Sequence, residues 1–353
     1  MSTGNRVRRT PPSSGAVRME RMLVPLDGSR LAEAALPIAA RLAEATGSTI
    51  TLLHVIESDA PSSVHGEPHL ASGKEAAAYL ARLTRELASG GRLVDYHVHE
   101  VPVGNVARSI ADHAEEQGSD LIIVSTHGAG DIRRGLWGSI AQRVLQLSRR
   151  PVLLVRTPRT PPVPAPFAPA TIMVPLDGTV AAEAALPLAS KLARALGSRL
   201  RLLMVVPTLG TVAGDHQPQA AILPGTTRMV LELQEEQATT YLEDLAAYLQ
   251  AAGVPSVAEV RRGAPVAELA ADAAEHGDGL VVAATHGRAG LQAIWSTSVA
   301  TRLLKRTNAP ILLVPIIEPA STLAVRSAPD ESAAVDRVPG PRGPRAPGAE
   351  TGG

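Results

Sequence analysis

The sequence predicts two tandem doubly wound α/β domains, each built on a parallel five-stranded sheet. Three observations lead there. Residues 24–28 (VPLDG) return at 174–178 and residues 33–37 (EAALP) return at 183–187, both 150 positions later. Thr126-His127-Gly128 and 151–155 (PVLLV) return as Thr285-His286-Gly287 and 310–314 (PILLV), both 159 positions later. Within each copy, short apolar runs alternate with longer segments of helical period. That alternation implies right-handed crossovers and a sheet covered on both faces. Strand order 3-2-1-4-5 fits it. The topological switch, where ligands of open α/β sheets sit, then lies between strands 1 and 4.

The first copy shows each element in turn. Met22–Pro25 is a short buried strand, broken by Asp27-Gly28-Ser29. Ser29 is a suitable N-cap for a helix over 30–46, whose apolar stripe is Leu31, Ala35, Ile38 and Leu42 and whose end is Gly47. Pro37 lies inside that helix and Pro187 inside its repeat, so a shared kink is expected. Thr49–Ile56 is a β-branched strand, 73–89 a helix, and Val94–Val101 an alternating strand. A helix over 105–117 ends at Gly118, and Leu121–Val124 is a fully apolar strand. The glycine-bearing loop 125–138 leads into a helix over 139–148, and Val152–Val155 is the last strand. The second copy is longer by nine residues, which the irregular segment 207–227 would accommodate. Each copy thus ends in an apolar edge strand. An unpaired edge of this kind is a liability, and antiparallel pairing of 152–155 with 311–314 would remove it in an internal pseudo-dimer.

The expected organisation is a disordered basic arm over 1–20, domains over 21–157 and 170–317, a Pro-rich linker over 158–169 and a disordered tail over 318–353. Composition narrows the function. Lys+Arg and Asp+Glu are both 34, so the chain lacks the positive field that nucleic-acid binding exploits. No apolar run reaches the roughly 18 residues of a membrane span. With no Cys, thiol catalysis and thiolate metal sites are excluded, and a reducing cytoplasm is the expected setting.

The chemistry concentrates at the predicted switch point. Ser125-Thr-His-Gly128, nine residues, then Gly138-Ser139 follow a strand and open a helix. Phosphate binding uses that context, because bare backbone N–H groups and the helix dipole hold negative charge. Arg133 and Arg134 in the loop also read as plain solvated charges. The segment is neither G-x-x-x-x-G-K-[ST] nor G-x-G-x-x-G. By residue chemistry alone, Asp27 reads equally as an Asx turn or helix cap, and His127 as a loop histidine that holds backbone. His54, His97, His99 and His113 look scattered and structural. Neither a paired acid and base nor a metal-ligand spacing is legible.

The pattern resembles the universal stress protein family, whose ATP-binding members carry G-x2-G-x9-G-(S/T). Gly128, Gly138 and Ser139 match it, whereas Ser125 stands at the first glycine. The opening VPLDGS, 52–56 (LLHVI) and 150–155 (RPVLLV) are similar too. The resemblance implies a Rossmann-like, adenine nucleotide α-hydrolase-like fold and an ATP ligand, any metal arriving as the nucleotide's own Mg²⁺. It places Pro25, Asp27 and Val55 at the adenine end and Val124 and Ser125 beside the ribose and phosphates. His127, Gly128, Gly138, Ser139, Ile140 and Ala141 would approach the phosphates. In the second copy Asp177, Val205, His286, Gly287 and Ser298 match, but Ala284 replaces the first glycine and Thr297 replaces Gly138. A β-branched side chain there would crowd a phosphate. The implied function is an ATP-binding stress-response or regulatory protein with little or no turnover. Two alternatives are a nucleotide-free interaction module with vestigial pockets and a slow ATP-using enzyme. The partners implied are an adenine nucleotide and a second copy of the chain, with neither nucleic acid nor membrane.

Overall fold

The computed structural model describes residues 17–57, 63–64, 67–68, 70, 72–102, 104–126, 138–156, 167–211, 223–277, 279–286, 302–303 and 306–316. The chain begins with β1 (Arg21–Pro25), α1 (Arg30–Glu33), α2 (Leu36–Thr46) and β2 (Thr49–Glu57). A two-strand hairpin, β3 (Ser63–Val64) with β4 (Glu67–Pro68), follows. Then come α3 (Gly73–Ala88), β5 (Val94–Val101), α4 (Val106–Glu116), β6 (Leu121–Thr126), α5 (Ser139–Leu147) and β7 (Val152–Arg156). The second repeat supplies β8 (Thr171–Pro175), α6 (Val180–Glu183), α7 (Leu186–Leu196), β9 (Arg199–Val206) and α8 (Pro224–Ala251). It closes with β10 (Ser256–Arg262), α9 (Pro265–Glu275), β11 (Leu280–His286) and β12 (Ile311–Ile316).

Ten strands form one sheet in the order β10-β9-β8-β11-β12-β7-β6-β1-β2-β5. Each half reads 3-2-1-4-5, with every pairing inside a half parallel. The single antiparallel step joins the halves: Leu154 pairs with Ile311, Leu153 with Leu312 and Val152 with Leu313. The expected seam therefore forms, and its six residues are almost wholly buried. Because the strands of the two halves run in opposite directions, their carboxyl ends lie at opposite rims of the sheet. One apolar layer lies beneath α2, α3, α7 and α8 and runs through both halves, with Leu42, Leu80, Leu192 and Leu242 among its members. The other lies beneath α4, α5 and α9 and includes Ile110, Val144 and Leu269. Among the described residues, no helix is long and apolar enough to cross a membrane.

Four features differ from expectation. The helix over 30–46 is two helices, with the break at Ala34-Ala35. Pro37 lies in the first turn of α2, and Pro187 likewise in α7. The N–H that proline lacks is unpaired in a first turn, so the residue starts a helix instead of kinking one. Residues 17–20 do not behave as a solvated arm: Met19 is 2% exposed, and its carbonyl accepts from the hydroxyl of Ser48. Ser198 makes the same contact with the carbonyl of Pro169. Finally, the extra length of the second copy is helical. Val94 and Ser256, which hold equivalent registers beside β2 and β9, are 162 positions apart. Val106 and Pro265, which open α4 and α9, are 159 apart. The copy thus gains residues before β10 and loses three after it. The gain matches α8, whose 28 residues exceed the 16 of α3. Within 207–227, Pro224–Thr227 open that helix and 212–222 lie outside the described residues.

Candidate functional site

The turn after β1 is built by Asp27. Its Oδ1 accepts from the Ser29 amide at 2.9 Å and from the Ser29 hydroxyl at 2.6 Å. Ser29 in turn caps α1 by accepting from the Ala32 amide. Asp177, Thr179 and Ala182 repeat the arrangement. Gly28 and Gly178 sit at φ +89° and +82°, which glycine adopts without strain. The Asx-turn reading of Asp27 is therefore fulfilled, and the same turn faces the switch point.

There, at the carboxyl ends of β1, β2 and β6, lies a cavity of about 410 Å³. It is bounded by Pro25 and Asp27 after β1, Val55 on β2, Val124 and Ser125 on β6, and Gly138, Ser139, Ile140 and Ala141 at the start of α5. These nine were all expected from sequence. His127 and Gly128 lie outside the described residues, as do Arg133 and Arg134. Gly138 is the N-cap of α5 and supplies no side-chain cap, so the first-turn N–H groups stand at the cavity wall. The wall also includes Leu26, Ala32, Leu53, His54, Glu57, Val106 and Ile110, which the sequence reading did not assign. His54 and Glu57 sit on the strand already singled out at Val55, and that was their only signal.

The three ionisable side chains of this wall each brace backbone. Asp27 holds the turn just described. His54, 1% exposed, has Nδ1 2.7 Å from the Leu26 carbonyl oxygen. Glu57 accepts from the Gly104 amide. Tyr79 on α3 lies near Asp27 and Glu33; burial first, and then those carboxylates, push its phenol well above the usual range.

The second repeat has its own cavity, of about 620 Å³, at the opposite rim. Asp177 and Val205 line it, together with Ala284, which stands at the missing glycine. Gln234, Gln237 and Tyr241 of α8 form one wall, and Tyr241 donates to Glu183 at 2.9 Å. His286 ends β11; Gly287, Thr297 and Ser298 lie outside the described residues.

One reading requires correction. His97, His99 and His113 are not scattered. Alternate positions on β5 put His97 and His99 on the side of the sheet where α4 and His113 lie. The ring centroids of His99 and His113 are 4.6 Å apart, and those of His97 and His113 are 6.4 Å apart.

Comparison with known proteins agrees with this architecture. The model of the universal stress protein family matches residues 19–156 and again 170–315. A universal stress protein of Synechocystis sp. is 32% identical over 143 residues, covering 40% of this chain and 89% of its own length. One of Bacillus subtilis is 30% identical over 148 residues, covering 38% of this chain and 98% of its own length. The crystal structure of a universal stress protein from Archaeoglobus fulgidus superposes with TM-score 0.61 at 18% identity, covering 84% of this chain and 98% of that one. This chain belongs to the universal stress protein family and carries the family's domain twice.

Proposed function

We propose that the first repeat binds ATP and that the chain acts as a stress-responsive regulator with little or no turnover. The observation that carries this reading is the polarity of the first cavity. Two carboxylates, Asp27 and Glu57, stand at the ends of β1 and β2, while the uncapped start of α5 stands at Gly138-Ser139. A polyanion is repelled by the first pair and attracted by the second. Adenine and ribose, which present N–H and O–H donors, suit the carboxylate end. Apolar Val55, Val124 and Ile110 offer surface for the base. The volume falls in the range of small-molecule sites, roughly 300–1,000 Å³.

Binding without turnover is supported by the engagement of Asp27, His54 and Glu57 with neighbouring backbone. A general base needs access to the proton it removes, and these three side chains are used as braces. In the second repeat Thr297 replaces Gly138, so the reading assigns one strong nucleotide site per chain.

Calorimetric titration of the full chain with ATP tests both parts. The expected stoichiometry is close to one. Gly138→Val should abolish binding while leaving the melting curve in place. Unchanged affinity in that variant, or two equal sites in the wild type, would refute the assignment. Mass analysis of gently purified protein should show retained adenine nucleotide.

A further inference from the structure

The face of β9 and β10 on the side of α9 carries an ion-pair network. Arg201, 4% exposed, donates to Asp272 Oδ1 at 2.8 Å and to Glu259 Oε2 at 2.7 Å. Arg261 Nε reaches Asp272 Oδ1 at 2.8 Å and Glu259 Oε1 at 2.9 Å. Side chains from three strand positions, Arg201, Glu259 and Arg261, and one helix position, Asp272, therefore converge on a single point.

The first repeat holds histidine at the places of Glu259, Arg261 and Asp272. Leu53 pairs with His97 as Leu203 pairs with Glu259, and Val55 pairs with His99 as Val205 pairs with Arg261. His113 and Asp272 each occupy the eighth position of an eleven-residue helix. Thr51 stands in the place of Arg201. Where one repeat gathers two guanidinium groups and two carboxylates, the other gathers three imidazoles and none of those charges.

We propose that His97, His99 and His113 form a binding site for a divalent transition metal of the imidazole-preferring class, represented by Zn²⁺. Three arguments support it. Rings bound through nitrogen at ~2.1 Å to a tetrahedral zinc have centroids ~5 Å apart. The observed 4.6 and 6.4 Å, both measured to His113, lie on either side of that spacing, and binding requires side-chain rotation to bring the three nitrogens onto one ion. Second, His113 Nδ1 lies 3.1 Å from the Ser109 carbonyl oxygen. A proton donated there leaves Nε2 as the lone-pair nitrogen, the outer-shell arrangement that orients metal-bound histidines. Third, His97 and His99 are exposed on an edge strand, so an ion enters directly from solvent. Three protein nitrogens leave the fourth position to water.

The second repeat shows the contrast. Glu259, Asp272 and His276 bring ligand atoms within 4.8 Å of one another, closer than the three histidines stand. Arg201 and Arg261 already neutralise those carboxylates, and two fixed cations oppose the arrival of a third. The site belongs to the first repeat alone.

The test uses the full-length chain, with Co²⁺ absorption reporting geometry and a chromophoric chelator competing for Zn²⁺. One equivalent of Co²⁺ should give a tetrahedral ligand-field band. His113→Gln, and His97→Gln with His99→Gln, should each weaken Zn²⁺ binding by about tenfold or more. His276→Gln should leave it unchanged. These side chains are exposed or half-exposed, so the circular dichroism of each variant should match that of the wild type. In the wild type, Zn²⁺ should shift the imidazole proton resonances of these three histidines. Absence of stoichiometric binding, equal affinity in the His113 and His276 variants, or shifts confined to other histidines would overturn the proposal.

Discussion

The hydroxyl of Tyr241 donates to Oε1 of Glu183 at 2.9 Å, and Tyr79 lies beside Glu33 at the matching place in the first repeat. The Tyr241–Glu183 bond ties the short helix after the Asp turn to the long helix that follows the second strand. Tyr241→Phe should cost about 1 kcal/mol in denaturant unfolding, the usual contribution of such a bond. The Tyr79 phenol gives an alkaline signature. Its folded pKa is raised, so its contribution is complete below the unfolded value of about 10 and is lost as pH climbs above it. In a tyrosinate absorbance titration, the Tyr79 phenol should ionise only as the protein unfolds. Tyr79→Phe should remove that late step.

Asp272 is 0% exposed and depends on Arg201 and Arg261. Arg201→Met should destabilise the second repeat by about 3 kcal/mol, because removing one partner leaves buried charge under-compensated. Burial pushes the Glu259 carboxyl up, but hydrogen bonds from Arg201 and Arg261 outweigh it and hold the pKa below the usual range. A lowered folded pKa binds fewer protons than the unfolded chain. That stability is present above about pH 4.3 and is lost as pH falls through the folded value. Unfolding midpoints measured down this range should fall less steeply in Glu259→Gln than in the wild type.

Gly28 and Gly178 share a left-handed backbone but not a neighbourhood. A Cβ at Gly28 would lie 2.9 Å from Leu70 Cδ1, whereas at Gly178 the nearest atom is Met204 Cε at 3.8 Å. Both alanine variants bear the conformational penalty of roughly 1–2 kcal/mol. Gly28→Ala should lose more than Gly178→Ala in thermal unfolding, and Leu70→Ala should recover part of the difference. Equal losses would show that Leu70 yields without cost.

At the seam, Leu153 pairs with Leu312, and both are almost fully buried. Leu153→Asp should destabilise the chain by about 3 kcal/mol or more, since an unpaired carboxylate enters an apolar contact. Segment 19–157 produced alone presents β7 unpaired and should dimerise through it. Sedimentation should show a dimer for the wild-type segment and a monomer for the Leu153→Asp segment.

Strand and helix identity could be read from sequence wherever one residue period persists. The strand at 49–56 and the stripe Leu31, Ala35, Ile38 and Leu42 are examples. The repeat itself exposed the seam, because two matching apolar terminal strands have an obvious partner in each other. Pro37 misled, because the sequence alone does not distinguish a helix interior from a first turn. Nine cavity residues were legible because motif positions fall at strand ends, where topology makes a crevice. The histidine cluster was not legible. His99 and His113 are 14 positions apart and meet only because α4 packs over β2, the strand beside β5. The second-strand crossover of the repeat was misjudged because added helix and added loop lengthen a sequence equally.

A β-sheet can grow only by accepting another strand at its border. Fusion has spent the two most adhesive borders, β7 and β12, on each other. The borders still open to solvent are β5, which bears Asp95 and Glu100 among its histidines, and β10, which bears Glu259, Arg261 and Arg262. Charge at a border discourages recruitment of a further chain. Duplication in one polypeptide therefore does more than hold two repeats at a fixed ratio. Among the described residues it makes a layer bordered on both sides by charge, a margin ill-suited to seed a polymer.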